Sequence, residues 1–597
     1  MKKYTTAKYL AGVATAAVLS FSPLAAGANT TVKSAHTTTS AGVALNQQLA
    51  GWNLYTSAAN QFVLGEILNL IWGAPFTGDN KFNVFVNKDI VTSATTATVS
   101  GQQVVTYKIN PKAVWSDGTA ITADDFIYNW QAQCGGHSAD AYCSDSWTDK
   151  GGQTYDAAGT AGYNQIQSVV GSAPKTGSCS AGSSADRNAG LCPNGLTVTV
   201  KFIKGESFAE WQGIFGLVPA HIARSVGWNG TGDSSDGNTP QGFDINPVAS
   251  VLSDEQYVLH SYDATNNNVI LTKNPRFWGT PGKLDQIVFN NLDSDGTGLS
   301  DLQNGAFNVW QPNTTSLAYI QNAQAAGVHY TVVPGIQFEH FDFNQRNPYL
   351  AQLGVRQAIA YGTDRKAIIA AFDPSAGAKP DDNHMFVPTQ STEYVANGSA
   401  YDNVNVSKAK ALLKAAGMTM GSDGYFHPTW GSQKGQDLTF NMYTTTNGTR
   451  ALIMQMFQGQ MKNIGIKLNY YGKATFFSAD YLYGGNFDIA EFAWVGGIYP
   501  SGNQSIYCSW SDPACASNYD HYSNPKVDAL VFKATTEPTL KAEVADFNAA
   551  DKLVWADMAT LPIYQKPNLV AWQGVNGVIN NATSAGVTWN AQTWSLS

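Results

Sequence analysis

The sequence predicts an α/β protein with more than one domain, and three observations support this fold class. The chain has 597 residues, which is too long for a single hydrophobic core. Hydrophobic residues make up 43% of it, enough apolar surface to fill several cores. In the second half, strand patterns at 438–442 and 466–470 flank a helical pattern at 452–464, as in an α/β lobe with a largely parallel sheet.

The charge composition excludes one class of function. Charged residues are only 13% of the chain, and the net charge is −9. No basic surface for nucleic acid is therefore expected. Uncharged polar residues carry most of the solvation, as in many exported proteins.

The N-terminus has the pattern of an export signal, which we predict at residues 1–28. Three lysines near its start form a positive region, and a mostly apolar run follows at 9–24. Ala26-Gly27-Ala28 supply the small residues that a signal peptidase needs. We therefore expect a mature start near Asn29.

The predicted cleavage region lacks the Cys to which bacterial lipoproteins attach a lipid. Gly27 stands where that Cys is needed after Leu24-Ala25-Ala26. No other stretch is apolar and long enough to span a membrane. We expect a soluble periplasmic or extracellular protein without a lipid anchor.

The six cysteines agree with export, because disulfides persist in oxidising compartments. Nearest neighbours in the sequence give the pairs Cys134–Cys143, Cys179–Cys192 and Cys508–Cys515. Fifteen connectivities are possible for six cysteines. A zinc site is the alternative, but the chain has no C-x-x-C pair. We predict local disulfides and no metal site.

The first third of the chain contains helix and strand patterns in turn. A helical run lies at 62–68, and a strand rich in β-branched residues lies at 104–109. Thr122 caps a helix predicted over 124–133. A Gly/Ser/Cys-rich insertion at 134–195 then precedes strand alternation at 196–202.

The central stretch, 341–372, combines a strand, a turn and two short helices. Phe341 and Phe343 alternate as in a half-buried strand, and from Val355 the apolar spacing becomes helical. Thr363 or Asp364 can cap the second helix. In the last part of the chain, a long amphipathic helix at 540–558 precedes a strand and a Trp-rich tail that we expect to return to the first part of the fold.

Two motifs carry a family resemblance that extends over most of the mature sequence. The central stretch reads N-x-x-x-P-x-x-x-x-x-x-V-R-Q-A-I-A-Y-x-x-D-R, and 115–125 reads W-S-D-G-x-x-x-T-A-x-D with one further Asp. Both resemble the extracellular solute-binding proteins of peptide- and nickel-type ABC importers. In this chain the Asp residues of the second motif are explained by a turn and a helix cap, so we interpret the motif as part of the scaffold.

The resemblance implies a two-lobed periplasmic-binding-protein-like fold with an extra domain on the first lobe, the three-domain arrangement of cluster C. We predict that 29–75, 205–275 and 563–597 form the first lobe. The extra domain is predicted at 76–204 and the second lobe at 276–562. A solute that binds the closed arrangement of the lobes more tightly shifts such a protein toward its closed state.

The resemblance also points to a ligand segment. In peptide-binding relatives, an Asp three residues after the Trp of a W-x-x-D element pairs with the α-ammonium of the ligand. Here Gly497 occupies that position after Trp494, so the anchor is missing. Glu491 can replace the carboxylate if it points inward, or it can be a solvated charge. The predicted ligand-binding residues are Trp494, Glu491, Gly496, Gly497, Tyr499, Trp52 and Tyr55.

Two aromatic side chains of that set, Trp52 and Tyr55, have an alternative interpretation. Together with Trp72 they can face a cleft or pack in a core. For Trp494 the core alternative predicts a large loss of stability on truncation.

The sequence contains no catalytic constellation. There is no G-x-S-x-G, no H-E-x-x-H and no phosphate-binding Gly-rich loop. We predict a monomeric binding protein, not an enzyme, that needs no cofactor and delivers an oligopeptide or dipeptide to membrane permease subunits. The alternatives are a secreted carbohydrate-active hydrolase, since paired carboxylates suit such chemistry, and a binder of oligosaccharide or another non-peptide solute.

Overall fold

The computed structural model describes most of the chain from Thr38 to the C-terminus. The described residues are 38–56, 59–134, 157–173, 192–226, 251–292, 294–312, 315–372, 380–446, 448–512, 515, 517–583 and 585–597. The predicted signal at 1–28, most of the insertion at 134–195, and both Cys143 and Cys179 lie outside them. No helix within the described ranges is both long and apolar enough to cross a membrane.

The strands vary in length from two to fifteen residues. Their bounds are β1 Ser40–Leu45, β2 Phe76–Gly78, β3 Val84–Val86, β4 Val91–Val99, β5 Gln102–Ile109, β6 Ile166–Gly171, β7 Thr197–Phe202, β8 Tyr257–Asp263, β9 Asn268–Lys273, β10 Gln286–Asn291, β11 Val309–Trp310, β12 His329–Phe343, β13 Met418–Met420, β14 Phe426–Pro428, β15 Thr439–Thr444, β16 Lys467–Gly472, β17 Ile489–Val495, β18 Thr560–Trp572, β19 Val575–Asn576 and β20 Ser595–Leu596.

Helices lie between many of these strands. Their bounds are α1 Phe62–Leu68, α2 Ala123–Gln133, α3 Ala220–Val226, α4 Gly298–Gln303, α5 Leu317–Ala326, α6 Leu353–Gly362, α7 Arg365–Phe372, α8 Val406–Ala415, α9 Gly448–Ile464, α10 Gln504–Tyr507, α11 Pro525–Ala534 and α12 Leu540–Asp557. Short 3₁₀ turns occur at Trp211–Gly213, Ser399–Tyr401, Ser501–Asn503 and Val587–Thr593.

Within the described chain, ten strands form one sheet in the order β16-β15-β17-β12-β18-β11-β1-β10-β9-β8. A smaller sheet has the order β4-β5-β7-β6. The large sheet is mixed, because β17, β12 and β18 pair antiparallel whereas β16, β15 and β17 pair parallel. This confirms the α/β class and corrects the expectation of a largely parallel sheet in the second lobe.

Each half of the large sheet, along its strand order, packs against its own hydrophobic core. The first surrounds Trp52, Trp115 and Trp594, and the second surrounds Phe341 and Phe457. We call the residues around these cores the first lobe and the second lobe. Strands β12 and β18 pair along their length and run from one core to the other, with shifts of register between Pro334 and Phe338 and between Glu339 and His340. We call them the crossing strands.

The packing of β10 differs from the predicted division of the chain. The sequence assigned 276–562 to the second lobe, but β10 pairs with β1, and Ile287 and Phe289 pack in the first core. Parallel pairing with β1 requires β10 to lie in the first lobe. We therefore propose that the division falls at the crossing strands instead of at 276.

Local sequence signals predicted the individual elements well. The helix expected at 124–133 is α2, and Thr122 and Asp125 form its capping box. The last strand, β18, leads into a tail that contains Val587 and Trp594. Both residues belong to the first core, so the tail packs in the first core.

The disulfide between Cys508 and Cys515 has a Cα–Cα distance of 5.5 Å and is one of the nearest-neighbour pairs given by the sequence. Cys134 and Cys192 are also disulfide-bonded. Their partners are not among the described residues, so the predicted pairs Cys134–Cys143 and Cys179–Cys192 stay predictions.

Candidate functional site

The candidate site lies at one edge of the sheet in the second lobe, where two parallel strands end. β15 and β17 run parallel, with Met442 beside Ile489. Helix α9 begins soon after β15, and the loop at 496–500 follows β17. The carboxyl ends of parallel strands form the usual ligand crevice of α/β proteins, so this edge is the natural place for a ligand.

Four charged side chains meet beside this edge, and we call them the charge cluster: Glu339, Arg450, Glu491 and Lys566. Nζ of Lys566 lies 2.9 Å from Oε1 of Glu339. The guanidinium of Arg450 lies 3.4 Å from Glu339 and 3.7 Å from Oε2 of Glu491. The cluster therefore links both crossing strands to β17 and to the start of α9.

The pKa values of the two carboxyl groups of the charge cluster are shifted in opposite directions. Burial alone would raise the pKa of Glu339, but the charges of Arg450 and Lys566 outweigh it and hold that pKa below its usual range. Burial, and then the charge of Glu339, raises the pKa of Glu491. With Glu491 protonated, two cations face one carboxylate, so the cluster carries a net charge of +1.

Glu491 is fully buried, so its carboxyl group is not a solvated charge. Thr444 Oγ1 donates a hydrogen bond of 2.6 Å to Oε2 of Glu491. The same oxygen is the one nearest to Arg450. Glu491 is therefore held by Thr444 and Arg450 of the protein instead of presenting a free carboxylate to a ligand ammonium group.

Trp494 lies on the opposite face of β17 from Glu491, because side chains three residues apart on a strand point to opposite faces. Its ring stacks on Tyr519 and on His340, each with a centroid distance of 5.8 Å. The indole Nε1 is buried and has no hydrogen-bond partner among the described residues. A buried donor without an acceptor is costly, and a ligand acceptor removes that cost.

The two glycines after β17 differ in what they permit. Gly496 donates a 2.8 Å hydrogen bond to the carbonyl of Ile336, and an added Cβ would lie 2.8 Å from that oxygen. The close approach that Gly496 allows is therefore to β12 and not to a ligand. At Gly497 the nearest atom to an added Cβ is the carbonyl of Tyr499, at 3.0 Å.

Tyr499 reaches the first lobe. Its hydroxyl lies 3.4 Å from Oε1 of Gln212, and its ring packs so closely on Gly213 that an added Cβ would lie 3.0 Å from it. Burial, followed by the charge of Glu210, raises the pKa of Tyr499 to about 12. The loop after β17 therefore closes against the first lobe.

Trp52 and Tyr55 lie in the first lobe. Trp52 is 2% exposed and packs edge-on against Tyr262 at 5.2 Å, which agrees with the core alternative. Tyr55 is half-buried, and its ring is parallel to that of Trp72 at 6.3 Å. Burial raises the pKa of Tyr55.

Three members of the charge cluster were not predicted from the sequence: Glu339, Arg450 and Lys566. Glu339 and Lys566 are charged residues within largely apolar strands, and both are buried. A charge inside a buried strand is rarely found without a partner. A charged residue in a largely apolar strand is visible in the sequence at both positions, but the sequence does not indicate that the two residues pair with each other.

The charge cluster does not have the form of a hydrolase site, although its carboxyl pKa values are split as in an acid–base pair. Glu339 and Glu491 are both fully buried. Glycoside hydrolysis by a carboxyl pair needs two carboxyl groups that flank the scissile bond. Here both carboxyl groups are in contact with Arg450 instead.

A separate group, Asp423, His427 and Asp437, has a spacing that suits a metal ion. His427 Nε2 lies 2.9 Å from Asp423 and 3.5 Å from Asp437, and Lys467 pairs with Asp437 at 3.1 Å. These groups thus satisfy one another; Asp423 and His427 lie on the β13–β14 hairpin, and Asp437 lies just before β15.

The family model described as "Bacterial extracellular solute-binding proteins, family 5 Middle" matches residues 89–515. The oligopeptide-binding protein OppA of Mycobacterium tuberculosis is 31% identical over 485 residues, which are 79% of this chain and 71% of OppA. The periplasmic murein peptide-binding protein MppA of Escherichia coli is 22% identical over 472 residues, 78% of each chain.

Solved structures agree over nearly the whole chain. A periplasmic EDTA-binding protein, EppA, has a TM-score of 0.77 at 23% identity and covers 96% of this chain and 100% of its own. AppA of Bacillus subtilis, in complex with a nonapeptide, has a TM-score of 0.71 at 17% identity and covers 94% and 99%. These likenesses confirm the two-lobed periplasmic-binding-protein fold of cluster C that the resemblance predicted.

Proposed function

Because this chain belongs to family 5 of the bacterial extracellular solute-binding proteins, the substrate-binding components of ABC importers, we propose that it captures an oligopeptide between its two lobes. The proposal of a peptide rests on relatives whose names state that they bind oligopeptides or murein peptides. The bound form then delivers the peptide to permease subunits in the membrane.

The arrangement of the crossing strands supports capture by closure. Only β12, β18 and the short β11–β18 pair join the two halves of the large sheet in the described chain. Bending at a few residues of such strands moves the lobes as rigid bodies. The contact of Tyr499 with Gln212 and Gly213 belongs to the closed arrangement.

The single observation that carries the pocket proposal is the unpartnered indole Nε1 of Trp494. It lies at the carboxyl edge of the sheet, beside the loop that meets the first lobe. We infer that a peptide carbonyl accepts from this donor and that the stacked rings of Trp494 and Tyr519 contact an apolar side chain of the peptide. Gly497 and Tyr499 stay proposed ligand contacts.

The charge cluster suggests which end of a peptide lies near it. Glu491 is engaged by Thr444 and Arg450, so it cannot replace the Asp that anchors a ligand ammonium group in relatives. The Arg450 side chain is 12% exposed and belongs to a cluster with an excess of cations when Glu491 is protonated. We infer that this side of the site receives a peptide carboxylate or carbonyl.

The remaining properties follow from export and from the family role. We propose a monomer that acts outside the cytoplasmic membrane after removal of residues 1–28, without a lipid anchor, without nucleic acid and without catalytic activity. The periplasmic relative MppA supports this location.

Native mass spectrometry on unfolded and refolded protein tests the peptide proposal. Refolding removes any co-purified ligand, and a defined pool of four- to nine-residue peptides is then added. We expect one peptide retained per chain. Retention from an oligosaccharide pool but not from the peptide pool would contradict the proposal, and turnover of either pool would indicate an enzyme.

A further inference from the structure

Two glutamates from different lobes meet where the lobes touch. Glu210 precedes the 3₁₀ turn Trp211–Gly213 in the first lobe, and Glu543 lies in the first turns of α12 in the second. They are 2% and 1% exposed, and their carboxyl groups lie close enough to act on each other. We call them the carboxyl pair.

Among the described residues, Ser501 supplies the donors to the carboxyl pair, and no cation pairs with it. The backbone N–H of Ser501 donates to Oε1 of Glu210 at 3.0 Å. No donor from the described residues reaches either oxygen of Glu543. Neither glutamate has a salt-bridge partner within the described chain. Two buried carboxyl groups this close do not both ionise without a counter-charge, so one of them carries a proton.

We propose that the carboxyl pair is a proton-operated latch: Glu210 and Glu543 share a proton when the lobes close, and loss of that proton opens them. This inference concerns closure of the free protein and does not depend on the proposed peptide ligand.

The rest of the contact brings the same segments together. Gln165 Nε2 donates to the carbonyl of Thr535 at 2.8 Å, and Ser207 Oγ donates to the carbonyl of Thr536 at 3.2 Å. These bonds join first-lobe residues on either side of β7 to the turn before α12. Opening the lobes breaks them together with the carboxyl pair.

The titratable groups around the carboxyl pair oppose its ionisation. Glu537 and Tyr499 are the other titratable groups that act on it. The nearby Lys533 is held by Glu537 at 2.8 Å and by Asp546 at 2.6 Å, so it does not compensate the pair. The positive end of α12 favours a carboxylate, but burial outweighs it, since burial is the largest cause that raises both pKa values.

The direction of the pH effect follows from these pKa values. When the lobes separate, both carboxyl groups meet water and return toward the ordinary value of about 4.3. Closing therefore takes up protons above that pH. The carboxyl pair stabilises the closed form fully below about pH 4.3, and this stabilisation is lost as the pH rises through the raised pKa values.

Single-molecule fluorescence transfer in the free protein tests the latch. Dyes are attached at Lys204→Cys and Lys526→Cys, which are exposed positions in the first and second lobe. We expect the ratio of closed to open molecules to fall between pH 5.5 and pH 9, by up to about tenfold per pH unit for each proton taken up. A ratio that does not change with pH overturns the proposal, whatever ligand the protein binds.

Amide variants identify the groups that carry the proton. A Gln side chain donates and accepts without ionising, so Glu210→Gln with Glu543→Gln should keep the closed form and abolish the pH dependence. Glu537→Gln, which removes a neighbouring carboxylate, is the matched control and should keep the pH dependence. If the dependence survives in the double variant, or is lost in the control alone, the latch does not lie at the carboxyl pair.

Discussion

Lys566 and Glu339 form an ion pair with a distance of 2.9 Å that joins the two crossing strands in the interior of the protein. Both side chains are at least 95% buried. A buried charge that loses its partner costs far more than an exposed one. The pair therefore fixes the position of β18 against β12 at the point where both strands leave the second lobe.

Lys566→Met should be strongly destabilising, because it leaves Glu339 with Arg450 as its only remaining cationic partner among the described residues. We expect a loss of about 3–5 kcal/mol in the free energy of unfolding, measured by urea denaturation at pH 7. Lys434→Met, at an exposed position, is the control and should change stability by less than about 0.5 kcal/mol.

The double variant Glu339→Gln with Lys566→Met separates pairing from packing. If the loss comes from an unpaired carboxylate, the double variant is more stable than Lys566→Met alone. A double variant that loses the sum of the two single effects would mean that the pair contributes only through packing.

Glu491→Gln should affect thermal stability in a pH-dependent way. Burial, and then the charge of Glu339, raises the pKa of Glu491. A carboxyl group with a raised pKa contributes fully to the free energy of unfolding below its ordinary pKa of about 4.3. This contribution is lost as the pH rises through the raised pKa. The amide does not ionise, so the melting temperature of the variant relative to wild type should increase from pH 5 to pH 9.

Asp480→Asn provides the control for that comparison, since Asp480 is exposed in the same lobe. Its melting temperature relative to wild type should stay nearly constant over the same range. A wild type that gains stability relative to Glu491→Gln at high pH would show that the pair with Arg450 dominates over burial.

Glu66→Gln should be stabilising in alkaline solution. Glu66 is buried in α1 and accepts a 3.1 Å hydrogen bond from the backbone N–H of Val587 in the tail. Burial raises its pKa to about 8. Ionisation therefore costs stability between about pH 4.3 and pH 8, and the amide removes this cost.

Thermal unfolding at pH 4.5 and pH 9 checks the Glu66 prediction. The two proteins should melt at similar temperatures at pH 4.5, and the variant should melt higher at pH 9. An equal difference at both pH values would assign the effect to packing instead of ionisation.

Elements were predictable where their signals are local. The capping box of Thr122 and Asp125 and the Pro at the start of α11 lie within a few residues of the helices that they begin. The motif at 115–125 and the central stretch likewise each lie within one continuous segment, so the family and its fold were accessible from the sequence alone.

The site was less predictable because its members are distant in the sequence. Glu339 and Arg450 are 111 residues apart, and the sequence does not indicate which strands bring them together. Glu491 and Trp494 lie three residues apart on one strand and face opposite sides of it, so they contact different neighbours. Glu210 and Glu543 meet only because two lobes touch, which no local pattern encodes.

The last prediction concerns the indole of Trp494, whose buried Nε1 has no acceptor among the described residues. Trp494→Phe removes that donor and keeps an aromatic ring beside Tyr519 and His340. We expect peptide affinity to fall by about 1–1.5 kcal/mol, the contribution of one hydrogen bond, with the melting temperature of the free protein nearly unchanged. Isothermal calorimetry and thermal unfolding on the same samples measure both quantities.

Two further variants, Trp494→Ala and Trp510→Phe, separate a role of Trp494 in binding from a role in packing. Trp494→Ala also removes the stacking on Tyr519 and His340, so it should lower both affinity and stability, the latter by about 2–3 kcal/mol because the ring is only partly buried. Trp510→Phe, at a tryptophan that is 51% exposed, should change neither quantity. If Trp494→Phe binds peptide as tightly as wild type while Trp494→Ala merely unfolds more easily, Trp494 belongs to the core of the second lobe and the ligand lies elsewhere along the 497–501 loop.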